Sequence, residues 1–156
     1  MKIFLRNFMI FCVGFTIYQC LEGLWKYFGT ATGAESFCMG ILGGLSLLLV
    51  GGLNKVFKWE TPIWLQALIG GFGILFMEFV TGLLLNKCLC PLLNKPLIWD
   101  YSKLPGNILG QVCPQFFLIW IVLAVVCILL DDYLRWKMYD EEKPHYTWWW
   151  KKIEKL

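Results

Sequence analysis

Apolar residues gather into four runs, at 8–24, 37–53, 63–85 and 108–130, separated by turns rich in glycine, proline, threonine and charge. Each run approaches the ~20 residues that an α-helix needs to cross a ~30 Å hydrocarbon core. The first two are at the short limit and draw on flanking polar residues. The pattern predicts an all-α polytopic membrane protein with four transmembrane helices. Residues 1–130 then form the transmembrane domain. Asp131 and Asp132 end the last apolar run, and 131–156 read as an amphipathic, aromatic tail. The longest connection, 86–106, is punctuated by Pro91, Pro96 and Pro105 and is too polar for a further crossing. Around Leu97, Ile98 and Trp99 it is compatible with a re-entrant dip, provided that protein or water satisfies the backbone there.

Inside the runs, small and polar residues fall on particular faces. Gly14, Tyr18 and Glu22 recur at i,i+4 on the first helix. Gly40 and Gly44 have the spacing that lets two membrane helices approach closely, which favours packing over a ligand role. On a 3.6-residue wheel Gly71, Leu75, Glu78 and Gly82 fall together, so Glu78 shares a narrow face that must look at protein. Pro62 suits the first position of the third helix. Asn107 and Gln111 stand at i,i+4 beside Gly110, a polar face on what reads as the first turns of the fourth helix. Pro114 is expected to bend that helix one turn inside its start.

The densest polar punctuation is the stretch 99–111. Asp100 and Ser102 can turn the backbone through local side-chain hydrogen bonds, Pro105 fixes φ, and Gly106 lets the chain bend. The block Trp99-Asp100-Tyr101-Ser102, followed by Pro105, Asn107 and Gly110, resembles the signature of the ABC-transporter type IV family of small membrane proteins, to which vertebrate transmembrane protein 229 is related. The upstream run Glu78-Phe79-Val80-Thr81-Gly82 fits the acidic penultimate helix of the same family. The resemblance covers roughly residues 60–130, with Glu22 as the counterpart of the family's acidic position in the first half. It implies a membrane fold and names no substrate.

Composition agrees with a membrane chain: 58% of the 156 residues are hydrophobic, 16% are charged, and the mean hydropathy is +0.61. Ten of the fourteen cations, including Lys2, Arg6, Lys55, Lys58 and Arg135, fall on one side of a four-crossing topology. Because cytoplasmic loops accumulate Lys and Arg, both termini are expected in the cytoplasm and the chain in the plasma membrane. The first helix lacks a small-x-small cleavage site and is expected to be retained. The net charge of +3 lies beside helix ends, so it orients the protein in the bilayer and does not mark a nucleic-acid partner. Trp148, Trp149, Trp150, Lys151 and Lys152 read as an interfacial anchor, with indoles at headgroup level and ammonium groups on lipid phosphate.

Seven cysteines and one histidine, His145, show no metal-ligand spacing, so neither a metal nor a cofactor is expected. A disulfide between the long loop and a helix is open to Cys20, Cys38, Cys88, Cys90 and Cys113. There is no G-x-x-x-x-G-K-[ST] motif and no Ser-His or Cys-His arrangement, which argues against an enzyme. A charged carboxylate at the centre of a membrane helix costs ~2.5–3.5 kcal/mol, so Glu22 and Glu78 need shelter. The expectation is a pocket lined by Glu22, Glu78, Trp99, Asp100, Tyr101, Ser102, Asn107 and Gln111. It would bind or carry a small polar or cationic solute, as in a permease-like subunit. Gly40, Gly44, Gly71, Gly82 and Gly110 would serve close helix packing, in a homo-oligomer or against another membrane protein. A non-catalytic scaffold, in which the carboxylates only clamp helices or pair with Lys26 or Lys103, is the alternative. An ion channel would share the carboxylate argument.

Overall fold

In the computed structural model the described residues are 2–28, 37–94 and 97–148. Helix α1 spans Lys2–Phe28, α2 Phe37–Gly51, α3 Ile63–Gly82 and α4 Phe117–Tyr139. A 3-10 turn, Gly52–Lys55, extends α2, and Pro114–Phe116 forms a 3-10 turn leading into α4. Four helical segments are long and apolar enough to cross a membrane. The helices alternate in direction. The Lys2 end of α1, the link between α2 and α3, and the Tyr139 end of α4 share one end of the bundle, the termini end. The loop 97–113 caps the other, the loop end.

Two boundaries depart from the sequence reading. Helix α3 does not stop near residue 85: it continues through a π-helical stretch, Leu83–Leu89, and one α-helical turn, Cys90–Leu92. Residues 86–92 therefore belong to the helix and not to the loop. The fourth helix starts at Pro114, so Pro114 opens it and does not bend it; its missing N–H falls where a helix start needs none. Asn107 and Gln111 consequently do not lie on helical turns. Residues 108–112 form a tight hairpin, with an antiparallel bridge between Ile108 and Val112 and left-handed Leu109 (φ 53°) and Gly110 (φ 72°) at its tip. Glycine adopts that conformation freely, whereas at Leu109 it costs ~1–2 kcal/mol.

Small residues set the helix contacts, as membrane packing requires in the absence of a hydrophobic force between helices. A Cβ built on Gly40 would meet the Phe15 ring, and one built on Gly44 would meet Phe11, so this stripe seats α2 against α1 of the same chain. Gly71 lies against Ile121 and Gly70 against Ala124, joining α3 to α4. The central core is Val50, Ile63, Ala67, Ile74, Ala124 and Ile128, where α2, α3 and α4 meet. Helix α1 stands at the rim, with only 11% of its most apolar window buried. Its Phe4, Phe8, Leu21 and Leu24, like Phe72 and Phe76 on α3 and Leu118 and Val122 on α4, face outward.

Candidate functional site

At the loop end, α3 delivers Glu78 into the bundle interior with 2% of its surface exposed. Its Oε1 accepts a hydrogen bond from the Tyr101 hydroxyl at 3.1 Å. Its Oε2 has no partner, and neither has the indole N–H of Trp120, which acts on the same carboxylate. No Lys or Arg among the described residues lies within ion-pair distance of Glu78. Glu22, half-buried on α1, and Glu78 both act electrostatically on Tyr18 and Tyr101, so the two helices bring both carboxylates to one place. Burial, followed by the Glu78 carboxylate, pushes the Tyr101 phenol up, which keeps it a permanent donor. The Tyr101 ring packs on Phe116 at 5.0 Å between centroids. Such a group can hold a proton or receive a donor-bearing solute.

The remaining predicted residues build a hydrogen-bonded cap over Glu78. Asp100 is exposed; its carboxylate accepts the Ser102 backbone N–H at 2.8 Å and the Ser102 hydroxyl at 3.0 Å. Those two bonds hold the Asp100 carboxyl below the usual carboxylate range. Asn107 Nδ2 donates to the Leu104 carbonyl at 2.7 Å, and its Oδ1 accepts the Gly110 N–H at 2.8 Å. Gln111, 1% exposed, donates to the Leu109 carbonyl and accepts from Asn86 Nδ2 at 2.9 Å. The Trp99 indole N–H donates to the Gln111 carbonyl at 2.8 Å. Gly82 makes room for this cap: a Cβ there would stand 2.5 Å from Gln111 Oε1 and 3.0 Å from Trp99 Cζ2.

Asn86 is the residue that the sequence reading missed. It is 1% exposed, donates to the Trp99 carbonyl as well as to Gln111, and accepts the Ile98 N–H at 2.8 Å. The π-helical stretch carries it to the loop, four residues beyond Gly82. The signal was an asparagine following Leu83-Leu84-Leu85, where an apolar helix face had been running. All seven cysteines carry free thiols, so hydrogen bonds and not a disulfide tie this loop down.

A second polar cluster occupies the termini end. Asp131 and Asp132 do not end the helix, since α4 continues to Tyr139. Asp131 is fully buried and Arg135, 4% exposed, donates to it through Nε at 2.6 Å, an i,i+4 pair. Lys55 Nζ lies 3.8 Å from the same carboxylate. Arg6 of α1 pairs with Glu141. Asp132 accepts from Asn54 Nδ2 at 2.5 Å and from the Tyr146 hydroxyl at 3.0 Å. Burial and the Asp132 charge raise the Tyr146 phenol above its ordinary value. Beyond Tyr139 the chain folds back as a strap: the Thr147 carbonyl accepts the Ile63 N–H at 2.9 Å, and His145 stacks on Trp59 at 4.7 Å. Of the proposed anchor, Trp148 is exposed, while Trp149, Trp150, Lys151 and Lys152 lie outside the described residues. The Lys26 side chain, offered as a partner for Glu22, also lies outside them.

Compared with known proteins, the chain is matched over residues 7–151 by the model of one family, described as Putative ABC-transporter type IV. That span includes α1 from Asn7 onward, the other three helices, the loop and both carboxylate positions. No curated protein and no solved structure matches the chain.

Proposed function

This chain belongs to that family and is a transporter-like multi-pass membrane protein, and on that premise we propose that it binds or carries a small polar or cationic solute at Glu78. Glu22 adds charge, and Tyr18, Tyr101 and Trp120 orient the solute. The observation that carries this reading is a carboxylate sheltered inside the bundle with one oxygen unpartnered and no Lys or Arg of the described residues within ion-pair distance. A carboxylate in that setting is expensive unless protonated, hydrated or occupied. The protein works without catalysis, in the plasma membrane, with both termini in the cytoplasm. The Asp100, Asn107 and Gln111 positions hold the cap in place and leave solute contact to the carboxylates and phenols.

The test is Glu78→Gln in proteoliposomes loaded against a panel of small organic cations and alkali ions. The amide keeps an acceptor for Tyr101, so folding is retained while flux or binding is lost. Labelling of Glu78 by a membrane-permeant carbodiimide reports whether its free oxygen is accessible. Unchanged flux in the variant removes Glu78 from the site.

A second reading, a non-catalytic scaffold, is favoured by one observation: Asn86, Asn107 and Gln111 spend their amides on the loop itself. It predicts that Glu78 resists labelling and that the protein purifies with a stoichiometric membrane partner. The Gly40 and Gly44 stripe is already covered by α1, so such a partner would meet a different face.

A further inference from the structure

Glu78 stands near the middle of its membrane segment, fifteen residues after Ile63 and fourteen before Leu92. Water at either membrane face is therefore distant. The elements packed around it bring no counter-charge. Helix α2 holds no Asp, Glu, Lys, Arg, His or Tyr between Phe37 and Gly51, and α3 itself has no other charged residue between Ile63 and Gly82. From α4 comes the neutral Trp120 indole, and the first charged side chain of that helix, Asp131, lies eleven residues further on. The loop adds the Tyr101 hydroxyl, and α1 adds Tyr18 and a second acid, the half-buried Glu22. No Lys or Arg among the described residues is within ion-pair distance of Glu78. Tyr101 occupies Oε1, and Oε2 of this 2%-exposed side chain has no partner.

A carboxylate so placed is neutralised either by a proton or by a bound cation, since leaving its charge bare in a dry interior is costly. The two are mutually exclusive. A proton on Oε2 makes the empty site neutral, and a monovalent cation beside the ionised carboxylate makes the filled site neutral. Both together would bury a net positive charge. Resting on the reading that Glu78 binds the solute, we propose that the site exchanges one proton for one monovalent cation, which makes the protein an electroneutral proton–cation antiporter. As the cation enters from one side, the Oε2–H bond breaks and the proton leaves to the water of that side. When the cation departs on the other side, a proton from there forms the O–H bond again. Tyr101 donates to Oε1 in both states. A neutral solute displaces no proton, so the solute class narrows to monovalent cations.

The test uses the full chain, with rubidium and tetramethylammonium as probes because neither has a titratable proton. In micelles at neutral pH, with N-methylglucamine as the sole counter-cation, infrared spectra show a carboxylic acid C=O stretch that is absent from Glu78→Gln. Adding the cation that the protein carries removes this band. Proteoliposomes loaded with that cation acidify inside as it leaves, one proton per cation by a trapped pH dye, and a voltage-sensitive dye shows no membrane potential building. In the wild type, which needs no variant to fold, each unit drop in pH weakens the apparent cation affinity about tenfold. An ionised Glu78 in the cation-free protein, cation flux without counterflow of protons, or an affinity that ignores pH overturns the exchange and leaves cation binding at Glu78 standing. Binding that survives in Glu78→Gln with its pH dependence intact overturns both the exchange and the site. If neither probe binds or moves, the reading of Glu78 as a solute site fails and the exchange fails with it.

Discussion

At the loop end the buried polar groups other than Glu78 are amides, an indole and backbone, and they come from neighbouring stretches: Asn86 and Gln111 are 25 residues apart. At the termini end the groups are ions and come from far apart, with Arg6 and Glu141 separated by 135 residues. Both ends must satisfy polar atoms that the bilayer cannot, yet the energetics differ. A neutral amide network loses a hydrogen bond when one member is removed. An ionic network is left with an uncompensated charge, and the cost of that is several times larger. The loop end is therefore built to position one carboxylate, whereas the termini end locks α1, α2, α4 and the strap together.

The largest expected effect follows from breaking the ionic network at its centre. Arg135→Met leaves Asp131 buried beside Lys55 alone, at 3.8 Å, and should destabilise the fold by ~3–5 kcal/mol in equilibrium unfolding from mixed micelles. Combining it with Asp131→Leu should recover most of that loss, because an apolar pair of similar volume needs no compensation. If the double variant is as unstable as the single one, charge pairing is not what holds this end.

A smaller effect is expected at the loop end. Asn86→Ala leaves the Ile98 N–H, the Trp99 carbonyl and Gln111 Oε1 without a partner, which should cost ~1–3 kcal/mol by the same measurement. Hydrogen exchange should show the loosening confined to residues 97–113, with the strap unaffected. A loss as large as that of Arg135→Met would erase the distinction between the two ends.

The same distinction explains how much was legible in the sequence. Four apolar runs fixed the helices, and the pairing of acidic residues with glycine faces placed Glu22 and Glu78 together. The turn at Asp100 and Ser102 was visible because its hydrogen bonds lie within the block itself. Proline was misread at one position: Pro114 fits both a kink inside a helix and a helix start, and only the left-handed residues before it, Leu109 and Gly110, decide between the two. Asn86 was lost because a π-helical stretch carries helix into a segment whose prolines read as loop. The ionic network was missed because two adjacent aspartates look like the end of a membrane run. The available signal was Arg135 four residues after Asp131, the spacing of an ion pair on one helix face.

The smallest expected effect belongs to Asp100, and it sharpens the comparison by pH. The Ser102 N–H and hydroxyl hold the Asp100 carboxylate below its ordinary range, and Lys87 and Lys103 add to this from nearby. A carboxyl depressed in the folded state contributes stability that is present above the unfolded value, ~3.9, and is lost as pH falls through the folded one. Because Asp100 is exposed, water screens the effect to below about 1 kcal/mol. The protection of the Ser102 amide, its exchange rate relative to that of the unstructured chain at the same pH, should thus be constant across neutral pH and fall only in acid below that range. In Asp100→Asn, whose carbonyl still accepts the same N–H, the acid loss of protection should vanish while protection at neutral pH falls only slightly. An acid response at Ser102 that persists in Asp100→Asn would mean that the loop opens because the distant ionic network has titrated, and the two ends would then be coupled through the bundle.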